Sequence, residues 1–128
     1  MRLKKLSNLA TQPLSNLKMK VDHKIHTTII KDTEGNVSEF LRKVTDQYES
    51  FKERNLILDV SHDKSADVKA IKTFSDLSKK HKKAKKSFVI VADNIDFNDV
   101  PASLLVVPTL LEAHDMIEME EIERDLGF

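Results

Sequence analysis

From Val37 to Glu53 the apolar residues Val37, Phe40, Leu41, Val44, Tyr48 and Phe51 recur at steps of three and four, which puts them on one stripe of a helix facing a core. Asn36 precedes this run and Glu39 stands three residues on, so Asn36 is the expected N-cap. Other segments lack that period. NLILDV (Asn55 to Val60) and SFVIVA (Ser87 to Ala92) are short, nearly unbroken apolar runs, the pattern of strands covered on both faces. LLVV (Leu104 to Val107) is a third. Met19 to Lys31 carries Val21, Ile25, Thr27, Thr28, Ile29 and Ile30, β-branched residues that favour a pleated surface. It reads as one bent strand or a short hairpin turning near His23, followed by a turn over Asp32 to Gly35. A second helix is expected to begin between Ser65 and Asp67 and to use Val68, Ile71, Phe74 and Leu77. It ends in the lysines from Lys79 to Lys86, where cations meet the negative end of the helix dipole. Pro108, Thr109 and Glu112 form a Thr-x-x-Glu box that opens a last helix.

Strands alternating with helices predict an α/β fold, with about four strands in a mainly parallel or mixed sheet and three helices. The orientation of the first strand stays open. At 128 residues the chain is expected to be one domain. Residues 1–18 contain Arg2, Lys4, Lys5 and Lys18, no acid and no clear period, and read as a disordered leader or a misassigned start. Met19 opens the first segment that looks folded. The folded domain is expected over 19–117, with 118–128 as an acidic extension.

The last helix carries two apolar stripes. At 100° per residue Leu110, Ala113, Met116 and Ile117 share one face, while Met119, Ile122 and Leu126 cluster nearly opposite. One straight helix cannot bury both stripes in one core. Either it breaks near Glu118, or its second half presents an apolar strip rimmed by acids, Glu118 and Glu121 among them. Gly127 suits a left-handed helix end, which lets Phe128 fold back or project. Met119, Ile122, Leu126, Phe128, Glu118 and Glu121 are therefore the candidate partner-binding residues, and curling of the tail onto its own domain is the competing expectation.

Composition removes several chemistries. Lys plus Arg number 21 and Asp plus Glu number 21, so the net charge gives no steering toward nucleic acid or anionic lipid. Only Gly35 and Gly127 occur, which leaves no glycine-rich phosphate loop. There is no cysteine, no Gly-x-Ser-x-Gly elbow and no apolar stretch near the roughly 20 residues a bilayer requires. A cytoplasmic protein without catalytic residues, cofactor or metal is expected. The histidines, His23, His26, His62, His81 and His114, are scattered and read as surface or loop residues. Lys79, Lys80, Lys82, Lys83, Lys85 and Lys86 form a basic patch that suits phosphates or an acidic protein. Its one aromatic neighbour, Phe88, opens a strand expected to be buried, so no stacking platform accompanies it.

NLILDVS (Asn55 to Ser61), a helix, SFVIV (Ser87 to Val91) and VVPTLLEA (Val106 to Ala113) follow one another as in the STAS domain, the fold of anti-sigma factor antagonists, which the chain resembles from Met19 to about Ile117. With the ending IEMEEIERDLGF, the chain is also similar to small STAS-like proteins of Bacteroidetes that often carry the label ribonuclease Z. The STAS resemblance implies regulation by protein binding. In regulatory members the second helix opens with Asp-Ser-Ser-Gly, whose serine is phosphorylated; here the matching positions are Asp67, Val68, Lys69 and Ala70, so no phosphorylation switch is expected there. A phosphopeptide at Ser65, Thr73 or Ser75 that alters partner affinity would overturn this. Ribonuclease Z needs His-x-His-x-Asp-His for two zinc ions. The nearest strings, His23-Lys24-Ile25-His26 and Ser61-His62-Asp63, do not match it, and on a strand His23 and His26 would point to opposite faces. The expected function is a non-enzymatic STAS-like interaction and regulatory module, binding another protein or a second copy of itself. The alternative is an accessory of an RNA-processing nuclease that contacts RNA through the Lys79 to Lys86 patch.

Overall fold

The computed structural model of the protein describes residues 19–127. Residues 1–18 and Phe128, and with them the expected leader and terminal anchor, lie outside the described residues.

The segment from Met19 is a hairpin of two strands, β1 (Met19–His23) and β2 (Thr27–Asp32), paired antiparallel with Val21 opposite Ile30. The turn between them is closed by Lys24 N–H donating to the Thr27 carbonyl at 2.6 Å. This hairpin makes the sheet five-stranded where about four were expected. β2 runs parallel to β3 (Asn55–Asp59), β3 to β4 (Phe88–Val91) and β4 to β5 (Leu105–Val107), in the order β1-β2-β3-β4-β5. The fold is α/β with a mixed sheet.

Helix α1 (Val37–Asp46) starts where the capping residues put it: Asn36 Oδ1 accepts from the Glu39 N–H at 3.1 Å. It stops seven residues before the expected Glu53, giving way to a 3-10 turn at Tyr48–Ser50. Bonds from Ser50 N–H to the Gln47 carbonyl (2.9 Å) and from Phe51 N–H to the Tyr48 carbonyl (2.8 Å) tighten the chain there. Tyr48 and Phe51 stay buried and the chain reverses in time to begin β3 at Asn55. The second helical region is broken into α2 (Val68–Lys72) and α3 (Ser75–Lys83). Hydroxyls of Thr73 and Ser75 donate to the Ala70 and Lys72 carbonyls, local bonds that compete with the helix ladder at the break. The last helix, α4, is unbroken from Leu110 to Asp125, capped by Thr109 Oγ1 accepting from Glu112 N–H at 3.1 Å. Gly127 follows at φ +85°, the left-handed end that its lack of Cβ permits.

Each parallel step advances the sheet in the same direction, so right-handed crossovers put the intervening helices on one face. That face holds the larger core: Phe40, Val44 and Phe51, with Ile71, Phe74 and Leu77, on Ile30, Leu56, Leu58, Phe88 and Ile90. The opposite face carries Ile29, Ile57, Val89, Val91 and Val107, and the helix packed on it is α4, through Ala113, Ile117 and half-buried Met116. Alternation of side chains along each strand feeds both cores, which explains why β3 and β4 read as continuous apolar runs and are buried throughout.

Candidate functional site

Because α4 is straight, its second stripe has nowhere to go but outward. Met119 is 53% exposed, Ile122 54% and Leu126 66%, on the side opposite the buried Ala113 and Ile117. The break expected as one option near Glu118 does not occur, and neither of the two stripes matches expectation in full. Leu110 is partly exposed, and Leu111, which sequence reasoning passed over, is 71% exposed and lines up with the strip. Taken at 100° per residue, Leu111, Asp115, Met119, Ile122 and Leu126 form one outward row. At a rise of 1.5 Å per residue it is roughly 22 Å long. The signal for Leu111 was present in the sequence as the i, i+8 position to Met119. Glu118 is exposed beside the row. Glu121 is not: half-buried on the inner side, its Oε2 accepts from Asn55 Nδ2 at 2.8 Å.

That bond belongs to a polar junction where α4 passes the N-terminal ends of β3 and β4. Asn55 is buried, and its Oδ1 accepts from Ser87 N–H at 2.9 Å and from Arg124 Nη2 at 3.4 Å. Ser87 Oγ donates to Glu120 Oε1 at 2.6 Å. The junction pins the C-terminal half of α4 to the strands by polar contacts, while Ala113 and Ile117 hold the first half by apolar ones. Beside it lies an open cleft of about 320 Å³ lined by Arg54, Lys85, Lys86, Glu121 and Arg124 among others. Residue types alone did not reveal this junction, because Asn55, Ser87 and Glu120 are far apart in sequence.

The lysines of the basic patch lie along α3 and the turn after it. Two are engaged: Lys80 Nζ sits 4.6 Å from the centre of the Tyr48 ring, and Lys82 Nζ donates to the Ser103 carbonyl at 2.8 Å. Lys79, Lys83 and Lys85 are exposed, and Lys86 is half-buried. Lys82, Lys85 and Lys86 also flank Glu120, Glu123 and Arg124 of α4, so the basic patch adjoins the acidic helix. Phe88 is buried, as expected.

One member of the lysine-rich stretch corrects the sequence reading. His81 is neither surface nor loop but fully buried. Its Nε2–H donates to the Arg54 carbonyl at 2.7 Å, which leaves Nδ1 to accept from the Tyr48 hydroxyl at 2.6 Å. The ring also packs edge-on against Tyr48 and Phe88, at 5.5 and 6.1 Å between ring centres. Burial holds its pKa below the ordinary histidine value. His81 is one turn from the Leu77 core position, so the i, i+4 spacing was the available signal. His26 lies outside β1 and β2, in the turn between them, and His23 Nδ1 is 2.7 Å from Thr28 Oγ1. Among the described residues no group of three His, Asp or Glu side chains is placed to hold a metal. No described helix is long and apolar enough to cross a membrane.

At the other end of the sheet, Asp67 caps α2, its Oδ1 accepting from Ala70 N–H at 2.8 Å. The two positions after it, Val68 and Lys69, carry no hydroxyl. Two buried carboxyls lie close by. Asp32 accepts from the backbone N–H groups of Glu34 (3.0 Å) and Asn36 (3.1 Å), and Asp63 Oδ1 from Ser65 N–H and Oγ–H at 2.7 and 2.6 Å. Asp63 Oδ2 is buried with no N–H donor directed at it, and its polar neighbour is the Asp32 carboxyl, which when protonated can donate to Asp63. Burial, and next to it the charge of Asp63, raise the Asp32 pKa above the ordinary carboxylate value, against the two backbone bonds. A raised folded-state pKa makes the native state the stronger proton binder. The associated stability is complete below about 3.8 and is lost as pH rises through the raised value. Asp63→Asn puts an N–H donor beside the Asp32 carboxyl, where two carboxyls can share only one proton, and removes the like charge. It is expected to stabilise the protein at neutral pH by about 1 kcal/mol, read as a rise in urea midpoint, and to flatten stability between acid and neutral pH.

Compared with models of known protein families and with curated proteins, the chain matches none.

Proposed function

We propose that the chain works as a STAS-like, non-enzymatic protein-interaction and regulatory module whose contact surface is the outer face of α4. The observation that carries this reading is the row of Leu111, Met119, Ile122 and Leu126 standing exposed on a helix that is fixed to the sheet along its other side. Isolated apolar residues on a surface need no explanation, but several aligned along one side of a rigid element are the pattern of a helix that docks in a groove. The five-stranded mixed sheet supports the STAS-like assignment. Asp67 followed by Val68 and Lys69 supports regulation by occupancy and not by phosphate transfer. Glu121 has a structural part on the inner side of the helix and is left out of the contact, whereas Glu118 stays in it.

Recovering the tagged full chain from the cells that carry it, beside a Met119→Ser/Ile122→Ser form, tests the proposal. The expected result is a stoichiometric protein partner that accompanies the parent and is lost from the variant, with the thermal midpoint unchanged. Equal recovery by both forms would remove the α4 face from the function. Co-elution of RNA that disappears on Lys79→Gln/Lys83→Gln/Lys85→Gln substitution would install the nuclease-accessory reading instead.

A further inference from the structure

The charges around the strip say what kind of partner it fits. From Leu110 to Asp125 the helix has seven carboxylates and one arginine. Two of the acids, Glu120 and Glu121, are bound on the inner side to Ser87 and Asn55, and Arg124 leans inward toward Asn55. Glu112, Asp115, Glu118, Glu123 and Asp125 are exposed. The outward half of α4 is therefore apolar and uniformly acidic. Asp115 falls inside the row, between Leu111 and Met119, so any surface that covers the row must also cover that carboxylate.

We infer that the occupant of this face is a basic amphipathic helix of another protein, with apolar residues for the row and a Lys or Arg opposite Asp115. The inference rests on the docking reading above and adds the partner's chemistry. A second copy of this chain does not meet the requirement. Pairing α4 with itself would bury Asp115 against a row made of Leu, Met, Ile and another Asp, with no cation to compensate it, and a buried unpaired charge is strongly unfavourable. Glu118 and Asp125 would meet their own counterparts along one flank. Lys82, Lys85 and Lys86 share a cleft with Glu123, and Lys85 and Lys86 another with Asp125, both at the C-terminal end of the helix and eight or more residues beyond Asp115. A basic partner instead turns the rim into an attraction that also steers the encounter.

Three fluorescein-labelled 18-residue peptides serve as probes against the full-length protein: an amphipathic helix of Leu and Lys, the same pattern with Gln for Lys, and a Lys and Ser peptide of equal charge without an apolar face. In anisotropy titrations the Leu/Lys peptide is expected to bind at one per chain and the other two at least tenfold more weakly. Met119→Ser/Ile122→Ser is expected to lower that affinity roughly 100-fold, since each buried anchor is worth about tenfold or more. Asp115→Asn is expected to lower it several-fold and to reduce its salt dependence. Sedimentation equilibrium is expected to give a monomer. Equal binding of the Leu/Gln peptide, lost in the Met119→Ser/Ile122→Ser form, would refute the basic partner while leaving the docking face in place. A dimer abolished by Ile122→Ser would refute it in favour of a second copy. Leu/Lys binding indifferent to the strip substitutions would refute both the inference and the docking reading.

Discussion

Replacing His81 by alanine is expected to cost about 3–5 kcal/mol of stability, the largest loss of any single truncation outside the apolar core. Three terms add. The imidazole fills space against Tyr48 and Phe88, so its removal opens a cavity. The Tyr48 hydroxyl loses its acceptor in buried surroundings, and the part-buried Arg54 carbonyl loses its donor. Tyr48→Phe removes one hydrogen bond without a cavity and is expected to cost about 1–2 kcal/mol. Urea unfolding of the three forms measures the ordering, and equal midpoints for parent and His81→Ala would show that the bridge between α3, Tyr48 and the start of β3 holds nothing. The same residue sets an acid sensitivity. Burial depresses its folded-state pKa, so as pH falls the unfolded chain takes up the proton first. The stabilisation is complete above about 6.5, the ordinary value, and is lost as pH falls from there through the depressed folded-state value, at up to about 1.4 kcal/mol per pH unit. His81→Leu is expected to remove that slope.

The second large effect separates the two faces of one helix. Ile117 is buried between α4 and the sheet, in the smaller core. Ile117→Ala is expected to lose about 2–4 kcal/mol, because Ala113 and Met116 cannot close the gap under the helix that covers this side. Ile122, five residues on, faces away. Ile122→Ser is expected to change stability by no more than about 0.5 kcal/mol. Guanidinium unfolding of the pair measures this directly. A comparable loss from both would mean that the outer row is covered by the protein itself.

These contrasts mark how far the residues alone carried the reading. The period of Val37 to Phe51, the unbroken runs at Asn55 and Phe88, and the caps Asn36 and Thr109 each report on their immediate surroundings, so elements and fold class followed from them. The opposed stripes of α4 followed too, since helical geometry fixes angular positions before any packing is known. Where α1 stops, and why the second helical region splits at Thr73 to Ser75, depended on competition between helix bonds, 3-10 bonds and hydroxyl back-bonds, which pattern does not rank. The hairpin is one of two readings of Met19 to Lys31, and the structure takes it, which supplies the fifth strand through a turn without a glycine.

Tertiary structure decided the rest, because it alone brings distant residues together. His81 looked like part of a solvated lysine run, yet Tyr48 and Arg54, 33 and 27 residues earlier, make it a core residue. Glu121 looked like rim until Asn55, 66 residues away, claimed it. Asp32 and Asp63 carry no shared motif, and only the approach of the end of β2 to the loop after β3 makes them neighbours. The sequence by itself determined that α4 has two apolar faces. Which one the protein keeps was settled by the sheet, whose second face has room for Ala113 and Ile117 and leaves Met119, Ile122 and Leu126 in water.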